Sequence, residues 1–411
     1  MARSGAGAGE LNLYRRLPAD PRAWFTDGEI ARAASYRRPL RRVGLAESLL
    51  GLALLVAAVA THAAARLLGG PGAAPWWVQV LEVVSALVVA GTLLGLPFGA
   101  WRLGYERRWG FSHQTARGWA ADRLKELVLS LVLSNAVALG FFALVRATPA
   151  WWLFAWAGAV VLSVVLVAVA PAVLAPLFNK FRPLDDPWLS ERAVELGRRV
   201  GVRIRQVLVM DASRRTAKHN AYFTGLGRTK RVVLWDTLLA DYEPSATLAV
   251  LAHELGHWRR RHLQRMLAIS AAVMLPGLYA LHLLLASPAV QSWAGIRGAA
   301  DAAAVPVALL AVSVMQAVWM PVTLWLSRAW ERQADMDALR WSDGDGGFDA
   351  FRGMQRDLAV KNLSDLAPSR WAYLLASHPP AAERMALSLH GALRGASGSL
   401  HGASGAASMS A

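Results

Sequence analysis

The sequence contains no cysteine, which is its clearest omission. Disulfide bonds, CxxC redox chemistry and zinc sites built from thiolates are therefore all excluded. Acidic residues are also scarce, with 28 Asp and Glu against 44 Lys and Arg, so the formal net charge is +16. A basic chain can bind nucleic acid, but here the arginines flank long apolar segments, which is typical of membrane topology. We therefore expect membrane lipid as a partner and no nucleic acid.

Apolar residues are abundant. They make up 55% of the chain, and the mean hydropathy is +0.32, which is more apolar than an ordinary soluble domain. Six runs are long enough to span a bilayer as helices, so the sequence predicts a mainly α-helical integral membrane protein. The first four runs form a four-helix transmembrane region at 43–178, after an N-terminal segment at 1–42. The six runs are Val43–Leu68, Trp76–Ala100, Leu127–Val145, Trp151–Phe178, Met266–Ala286 and Ala303–Leu326.

The loops between these runs alternate in charge. The N-terminus, Arg102–Lys125, Lys180–Arg265 and the chain after Leu326 are rich in arginine, whereas the other loops are short and nearly uncharged. By the positive-inside rule, both termini lie on the cytoplasmic side. The abundance of Arg, Ala and Gly indicates a bacterial genome rich in G and C, so we expect a bacterial inner membrane.

Two ionisable residues, His62 and Glu82, fall inside predicted spans. Ionisable groups at such depth are often functional. Each could equally lie near an interface or pair with a neighbouring span, and the sequence leaves both roles open.

The central motif is His253-Glu254-Leu255-Gly256-His257, an HExxH in a helical pattern. Two histidines four residues apart lie on one helix face, so both imidazoles can reach a single ion. Zinc accepts imidazole nitrogens, and Glu254 flanks the open coordination position, where a carboxylate can take a proton from water. The residues around the motif are apolar, and burying ionisable groups without a partner costs free energy. A metal site therefore explains the motif better than chance does.

A third ligand is available downstream. Glu331 and Asp335 are four residues apart and share a helix face. In a site of two histidines and one glutamate, the glutamate binds zinc and an acid one turn later can hold the second ring nitrogen of a ligand histidine. With the HExxH, this pair predicts one catalytic zinc ion per chain. His262 lies five residues after His257, off the ligand face of a continuous helix, and is not expected to be a ligand.

Residues 179–390 form a predicted metalloprotease domain that includes the last two spans, at 266–286 and 303–326. Asp186–Val200 has the pattern of an amphipathic helix, and Gln206–Met210 that of a strand. Lys218–Thr224 and Arg231–Trp235 flank Gly225-Leu226-Gly227 and predict a hairpin. The low-complexity tail at 391–411 is predicted to be disordered.

Several ordered blocks make the chain resemble the CAAX prenyl protease 1 family of membrane zinc metalloproteases. The resemblance covers about residues 20 to 390. Eukaryotic members are similar in having seven spans around a large chamber, whereas this chain shows six. The blocks are PLFNKFRPL (Pro176–Leu184), GFSHQTARGW (Gly110–Trp119), HNAYFTG (His219–Gly225), HELGHW (His253–Trp258), SRAWERQAD (Ser327–Asp335) and SHPP (Ser377–Pro380), with Glu383 and Arg384 after it.

The resemblance implies a cytoplasmic zincin-like domain with a small β-hairpin or sheet. It also implies a zinc metalloendopeptidase acting on peptide or protein substrates that are membrane-associated or have a hydrophobic or prenylated, CAAX-like C-terminus. The residue roles it implies are His253, His257 and Glu331 as zinc ligands, Glu254 as general base and Asp335 as the residue that orients a ligand histidine.

The resemblance further implies groups that handle the substrate. His378 would stabilise the oxyanion. The NAYF strand would pair with an extended peptide, with Asn220 and Tyr222 as substrate-binding residues. Arg384 is a further candidate for substrate binding, but it could instead pair with Glu331 or Asp335.

Two other functions fit the same spans and motif. One is a general quality-control metalloprotease of membrane proteins, although such enzymes have fewer spans and the PLFNKF and SHPP blocks fit the prenyl-protease type better. The other is a catalytically silent membrane scaffold or transporter, which the intact ligand set argues against. Zinc content per mole separates the scaffold from either protease.

The alternating loop charge predicts the topology, and reporter fusions can test it. We expect fusions at Thr148 and Gly295 to be exported, because their loops are nearly uncharged, and a fusion at Ser404 to remain cytoplasmic. An exported reporter at Ser404 would contradict the prediction, since it requires an odd number of spans.

Overall fold

The computed structural model describes residues 12–69, 74–224, 231–341 and 347–389. These residues are mainly helical and include one small sheet. The helices are α1 (Asp27–Ala60), α2 (Ala63–Leu67), α3 (Trp76–Arg108), α4 (Ala116–Ala147), α5 (Trp151–Val173), α6 (Pro187–Arg199), α7 (Asp236–Asp241), α8 (Pro244–Arg259), α9 (His262–Ala286), α10 (Pro288–Ala294), α11 (Val305–Trp341), α12 (Gly347–Lys361) and α13 (Arg370–Leu374), and residues 381–389 are also helical.

Six helices of the described part of the chain are long and apolar enough to cross a membrane: α1, α3, α4, α5, α9 and α11. The number predicted from the sequence is therefore confirmed. In the most apolar window of each helix, at most 28% of the residues are buried inside the protein. Their apolar side chains therefore point outward, where only lipid can cover them. The protein is integral to a membrane.

The first membrane helix begins well before the apolar run that predicted it. α1 starts at Asp27, because Thr26 and Glu29 form a capping box there and the arginines that follow are good helix formers. It ends before the run does, because His62 has a left-handed backbone (φ 51°) that separates α1 from α2. The predicted boundary at residue 43 marks the onset of apolarity within a helix.

The two ionisable residues in the spans have different surroundings. His62 Nε2 lies 3.0 Å from the carbonyl oxygen of Trp293 in α10, so it ties the end of the first span to that short helix. Glu82 is exposed on α3.

The sheet has four strands in the order β1-β2-β4-β3. β2 and β4 are parallel, and the two outer pairs are antiparallel. Two predicted strands have the expected bounds, whereas the strand expected from Lys218 begins only at Ala221. The predicted turn at 225–227 and the predicted disordered tail lie outside the described residues. The strands are β1 (Phe181–Pro183), β2 (Gln206–Met210), β3 (Ala221–Thr224) and β4 (Arg231–Trp235).

One face of the sheet packs against α6 and α8. The predicted amphipathic helix forms as α6, and the side chain of Asp186 caps it by accepting the Leu189 N–H. Leu189 then packs in one buried cluster with Val232 of the sheet and Leu251 and Leu255 of α8. The sheet thus supports the helix that carries the HExxH motif.

The two ends of the described chain meet on α11 through a buried ion pair. Arg332 Nε donates to Glu383 Oε1 at 2.7 Å, and both side chains are 3% exposed. The same carboxylate accepts the backbone N–H of Leu17, and the guanidinium also donates to the Leu13 carbonyl oxygen and the Tyr373 hydroxyl. Because the two charges pair directly and the guanidinium makes two further hydrogen bonds, neither charge is buried without a partner of opposite sign.

Candidate metal centre

Helices α8 and α11 approach each other unusually closely at Gly256, within the HExxH motif. A Cβ at this position would lie 2.9 Å from Ala334 Cα and 3.1 Å from the Ala334 carbonyl oxygen of α11. Backbone atoms cannot move aside as a flexible side chain can, so only glycine permits this distance. The contact places both motif histidines against the helix that carries Glu331.

Three side chains from these helices converge. His253 Nε2 and His257 Nε2 are 3.2 Å apart, and they lie 3.4 Å and 3.3 Å from the two carboxylate oxygens of Glu331. Zinc bonds of about 2.0–2.1 Å place neighbouring tetrahedral ligand atoms about 3.3–3.4 Å apart. Each of these three separations therefore suits neighbouring ligands of one zinc ion, with the carboxylate presenting a different oxygen to each histidine.

The surroundings of Glu331 also fit a cation. Its Oε2 is buried and has no hydrogen-bond partner within the described chain, which is costly for a carboxylate oxygen unless a cation faces it. The donor set of two imidazoles and one carboxylate is one that zinc uses in catalytic sites. These residues fit a metal ion with one coordination position left for a reactant.

An acidic side chain contacts the ring nitrogen of His253 that faces away from the metal position, as expected. Its Nδ1 lies 2.8 Å from Asp335 Oδ1, and Arg384 grips the same carboxylate through Nε at 2.8 Å and Nη2 at 2.5 Å. Arg384 Nη2 is also 3.2 Å from His253 Nδ1, but this is no hydrogen bond if Nδ1 donates its proton to Asp335. The structure thus brings Arg384 to Asp335, which is the alternative that the sequence left open; a direct substrate contact stays a prediction.

This arrangement makes the site attractive to positive charge. Burial lowers the pKa of His253, but the Asp335 carboxylate more than offsets this, and the pKa rises to about 10. The negative potential that retains a proton on this imidazole also favours a metal cation at Nε2.

His257 is held by a residue that sequence reasoning set aside. Its Nδ1 lies 3.0 Å from His262 Nδ1, and His262 Nε2 lies 3.2 Å from Gln333 Oε1. His262 is not among the clustered donors, but a break in the helix brings its ring against His257: Arg261 has a left-handed backbone (φ 55°) between α8 and α9. The signal in the sequence was the third histidine itself, in HExxHxxxxH.

Glu254 faces the same site from α8. Its carboxylate accepts a hydrogen bond from the backbone of Phe223 in β3, and burial raises its pKa, although the two motif histidines oppose this. A carboxylate with a raised pKa takes up a proton more readily and can still release it, which suits a group that transfers protons.

Strand β3 is the edge of the sheet and lies beside α8. The Trp235 N–H donates to the Asn220 carbonyl oxygen, so Asn220 faces β4 with its backbone. Along a strand of an antiparallel pair, successive residues direct their backbone N–H and C=O groups alternately toward the partner strand and away from it. The backbone groups of Ala221 and Phe223 therefore point away from β4. The Asn220 side chain accepts the Ala221 N–H at 2.9 Å, which leaves its amide NH₂ free to donate.

The remaining predicted residues are placed differently. His378 Nε2 lies 3.4 Å from Glu331 Oε1, and its Nδ1 lies 2.8 Å from Ser377 Oγ. If the hydroxyl donates to Nδ1, the proton of the neutral ring is on Nε2, facing the metal centre. The side chain of Tyr222 packs instead on the other face of the sheet with Met210 and Val233, and its role in substrate binding stays a prediction.

The metal centre borders a cavity of about 1030 Å³. Its wall includes Asn220, Glu254, Glu331 and His378, and it continues to Gly44, Leu45 and Ser48 of the membrane helix α1. The metal centre and the first membrane helix therefore border the same cavity.

Comparison with known families covers nearly the whole chain. Residues 183–389 match the model of peptidase family M48. Residues 10–180 match a model described as the CAAX prenyl protease N-terminal region with five membrane helices.

Individual relatives give the same picture. A Bacillus subtilis protein described as uncharacterized metalloprotease YhfN is 31% identical over 316 residues, covering 75% of this chain and 73% of that protein. CAAX prenyl protease 1 of Saccharomyces cerevisiae is 33% identical over 197 residues, covering 47% of this chain and 43% of that protein. The crystal structure of S. mikatae Ste24p has a TM-score of 0.78 at 23% identity, covering 92% of this chain and 94% of that one, which shows a shared fold.

The close contact at Gly256 can be tested with an alanine substitution. In Gly256→Ala, the new Cβ collides with the α11 backbone, and overpacking of this kind costs about 1–3 kcal/mol. We expect weaker metal binding in a chelator competition and a lower thermal midpoint. Gly353→Ala is the matched control, because nothing lies within 4 Å of its Cβ in α12. Unchanged metal affinity in Gly256→Ala would contradict the argument.

Proposed function

Because the chain belongs to peptidase family M48, whose members are metalloproteases, we propose that this membrane protein is a zinc-dependent endopeptidase with His253, His257 and Glu331 as its ligands. One observation carries the proposal. The two imidazole nitrogens and the Glu331 carboxylate have separations that suit ligands of one zinc ion. His253 and Glu331 also line one cavity together with Glu254 and with Ala221 of the edge strand.

Each residue of the site has a role in the proposed reaction. When bound, zinc would polarise the scissile carbonyl and lower the pKa of the attacking water. Glu254 accepts a proton from that water and returns it to the leaving amine. His378 donates from Nε2 to the developing oxyanion. Asp335, fixed by Arg384, keeps the Nδ1 proton of His253 directed away from the centre.

Strand β3 would bind the substrate by strand addition. An extended peptide lying along its outer edge would donate to the outward carbonyl oxygens of Ala221 and Phe223, since their N–H groups already donate to the Asn220 side chain and to Glu254. The amide NH₂ of Asn220 would donate to a substrate carbonyl and fix the register. The peptide bond to be cleaved would then lie between β3 and the metal centre.

We further propose that the substrates are themselves membrane-associated, or have hydrophobic or prenylated C-terminal ends. The support is the cavity wall, which extends from Glu254 to Leu45 of a membrane helix, so that an apolar group can stay near lipid during cleavage. The loop charges support a bacterial inner membrane with the centre on the cytoplasmic side. Comparing the membrane proteome of cells carrying Glu254→Gln with that of wild-type cells would identify the substrates.

Metal analysis of purified variants separates ligands from base. We expect His253→Ala, His257→Ala and Glu331→Ala each to lower zinc occupancy, because each removes one donor. Glu254→Gln should keep its zinc and lose turnover by about 10²–10⁴-fold, the usual contribution of general acid–base catalysis. Full zinc occupancy in Glu331→Ala would contradict the assignment of the third ligand.

Kinetics on a fluorogenic peptide separate the substrate contacts. A group that binds ground and transition states alike affects KM, and one that acts only in the transition state affects kcat. We therefore expect Asn220→Ala chiefly to raise KM, and His378→Ala to lower kcat by about 10²–10³-fold. Zinc content should stay normal in both variants. Wild-type kcat in His378→Ala would show that this histidine has no oxyanion role.

A further inference from the structure

The two motif histidines are supported in different ways. His253 has a carboxylate behind it, at Asp335. His257 is supported instead by a chain of hydrogen bonds without a carboxylate. Its Nδ1 lies 3.0 Å from His262 Nδ1, and His262 Nε2 lies 3.2 Å from Gln333 Oε1. His262 is 3% exposed and Gln333 is 6% exposed, so water cannot replace either partner.

Gln333, at the end of this hydrogen-bonded series, determines which atom donates in each hydrogen bond. Gln333 Oε1 can only accept, so His262 Nε2 must carry the proton that it donates. The Nδ1 of a neutral His262 then has no proton and accepts the one on His257 Nδ1. That leaves the Nε2 of His257 without a proton, and its lone pair faces His253 Nε2 and Glu331.

We propose that His262 is a positioning residue of the metal centre, which holds His257 in the tautomer that turns its Nε2 lone pair toward the metal. The proposal rests on the zinc site proposed above. Gln333 is the residue that sets the tautomer of His262. If its amide NH₂ faced His262 instead, His262 would accept at Nε2 and donate from Nδ1. His257 would then accept at Nδ1 and have its proton on Nε2, so it could not bind a metal through that nitrogen.

The orientation of the His262 ring is itself held firmly. It is stacked on Trp330 with ring centroids 5.0 Å apart and an interplanar angle of 3°. Trp330 and Gln333 are both on α11, on either side of Glu331 in the sequence. The same helix therefore supplies a metal ligand and the two residues that orient the support of another ligand.

Zinc affinity of the purified full-length protein, measured by competition with a chromophoric chelator, tests the proposal without relying on turnover. His262→Phe keeps a ring for Trp330 and loses both nitrogens, and we expect it to weaken zinc binding by about 10–100-fold, as is typical for loss of such a partner. His282→Phe is the matched control. His282 is on the same helix, but its ring contacts Trp151 and Tyr279, so zinc affinity should not change.

A second pair of variants acts at the far end of the chain and leaves both histidines intact. Gln333→Leu removes the acceptor, and we expect weaker zinc binding. Gln333→Glu keeps an acceptor oxygen and should stay close to wild type. This rescue distinguishes proton ordering from simple packing, because leucine and glutamate both fill the site. It also decides the matter if His262→Phe does not fold.

The outcomes separate the two proposals. If Gln333→Leu and Gln333→Glu bind zinc equally well, His262 does not act through its tautomer. Should His262→Phe and Gln333→Leu keep full zinc affinity while His253→Ala loses it, the positioning role is wrong and the zinc site stands. Loss of zinc in none of these variants would overturn the proposed zinc site and, with it, this role.

Discussion

The closeness of α8 and α11 is the constraint on which the rest of the site depends. The ligands His253 and His257 come from one helix and Glu331 from the other, so the spacing of the donor atoms is set by how near the two backbones lie. Gly256 permits that distance by having no side chain, and Ala334, which is fully buried, faces it. Larger residues at this contact would separate the ligands without altering any one of them.

The packing of α8 against α11 also buries several charged side chains of α11, most of which form ion pairs. Along α11, Glu331, Arg332, Asp335 and Asp337 are all buried, and apart from the proposed ligand they are paired. Arg332 pairs with Glu383, Asp335 with Arg384 and Asp337 with Arg260. Breaking one buried pair leaves an uncompensated charge, which typically costs about 3–5 kcal/mol. These pairs therefore hold α11 in one rotation, and that rotation directs Glu331 toward the histidines.

The sequence predicted the parts of the molecule that follow from local patterns. Hydropathy is averaged over many residues, so six spans could be counted although the start of α1 was placed too late. The HExxH and ExxxD spacings correspond to single helix turns, so the clustering of His253, His257, Glu331 and Asp335 followed from them. The strand bounds of Gln206–Met210 also followed from a short apolar run.

What could not be predicted depends on irregular backbone or on long-range packing. His262 reaches His257 only because Arg261 leaves the helical conformation, and no spacing rule describes such a break. The pairing of Arg384 with Asp335 was one of several possibilities until the helix at 381–389 was placed against α11. Tyr222 points away from the cavity because alternation along β3 assigns it to the other face of the sheet, which depends on the register with β4.

The continuity of α11 has a consequence for the distance at which this protein can act. Glu331 follows the last apolar run, which ends at Leu326, by five residues of the same helix, or about 7.5 Å of axial rise. The metal centre is thus held at a fixed distance from the end of the apolar part of this helix. For the membrane-anchored substrates proposed above, that distance would work as a ruler, because the peptide bond that reaches the centre would be set by the length of chain between the bond and its anchor. Two substrates with unrelated sequences but equal spacers would then be cleaved at equal distances from their anchors.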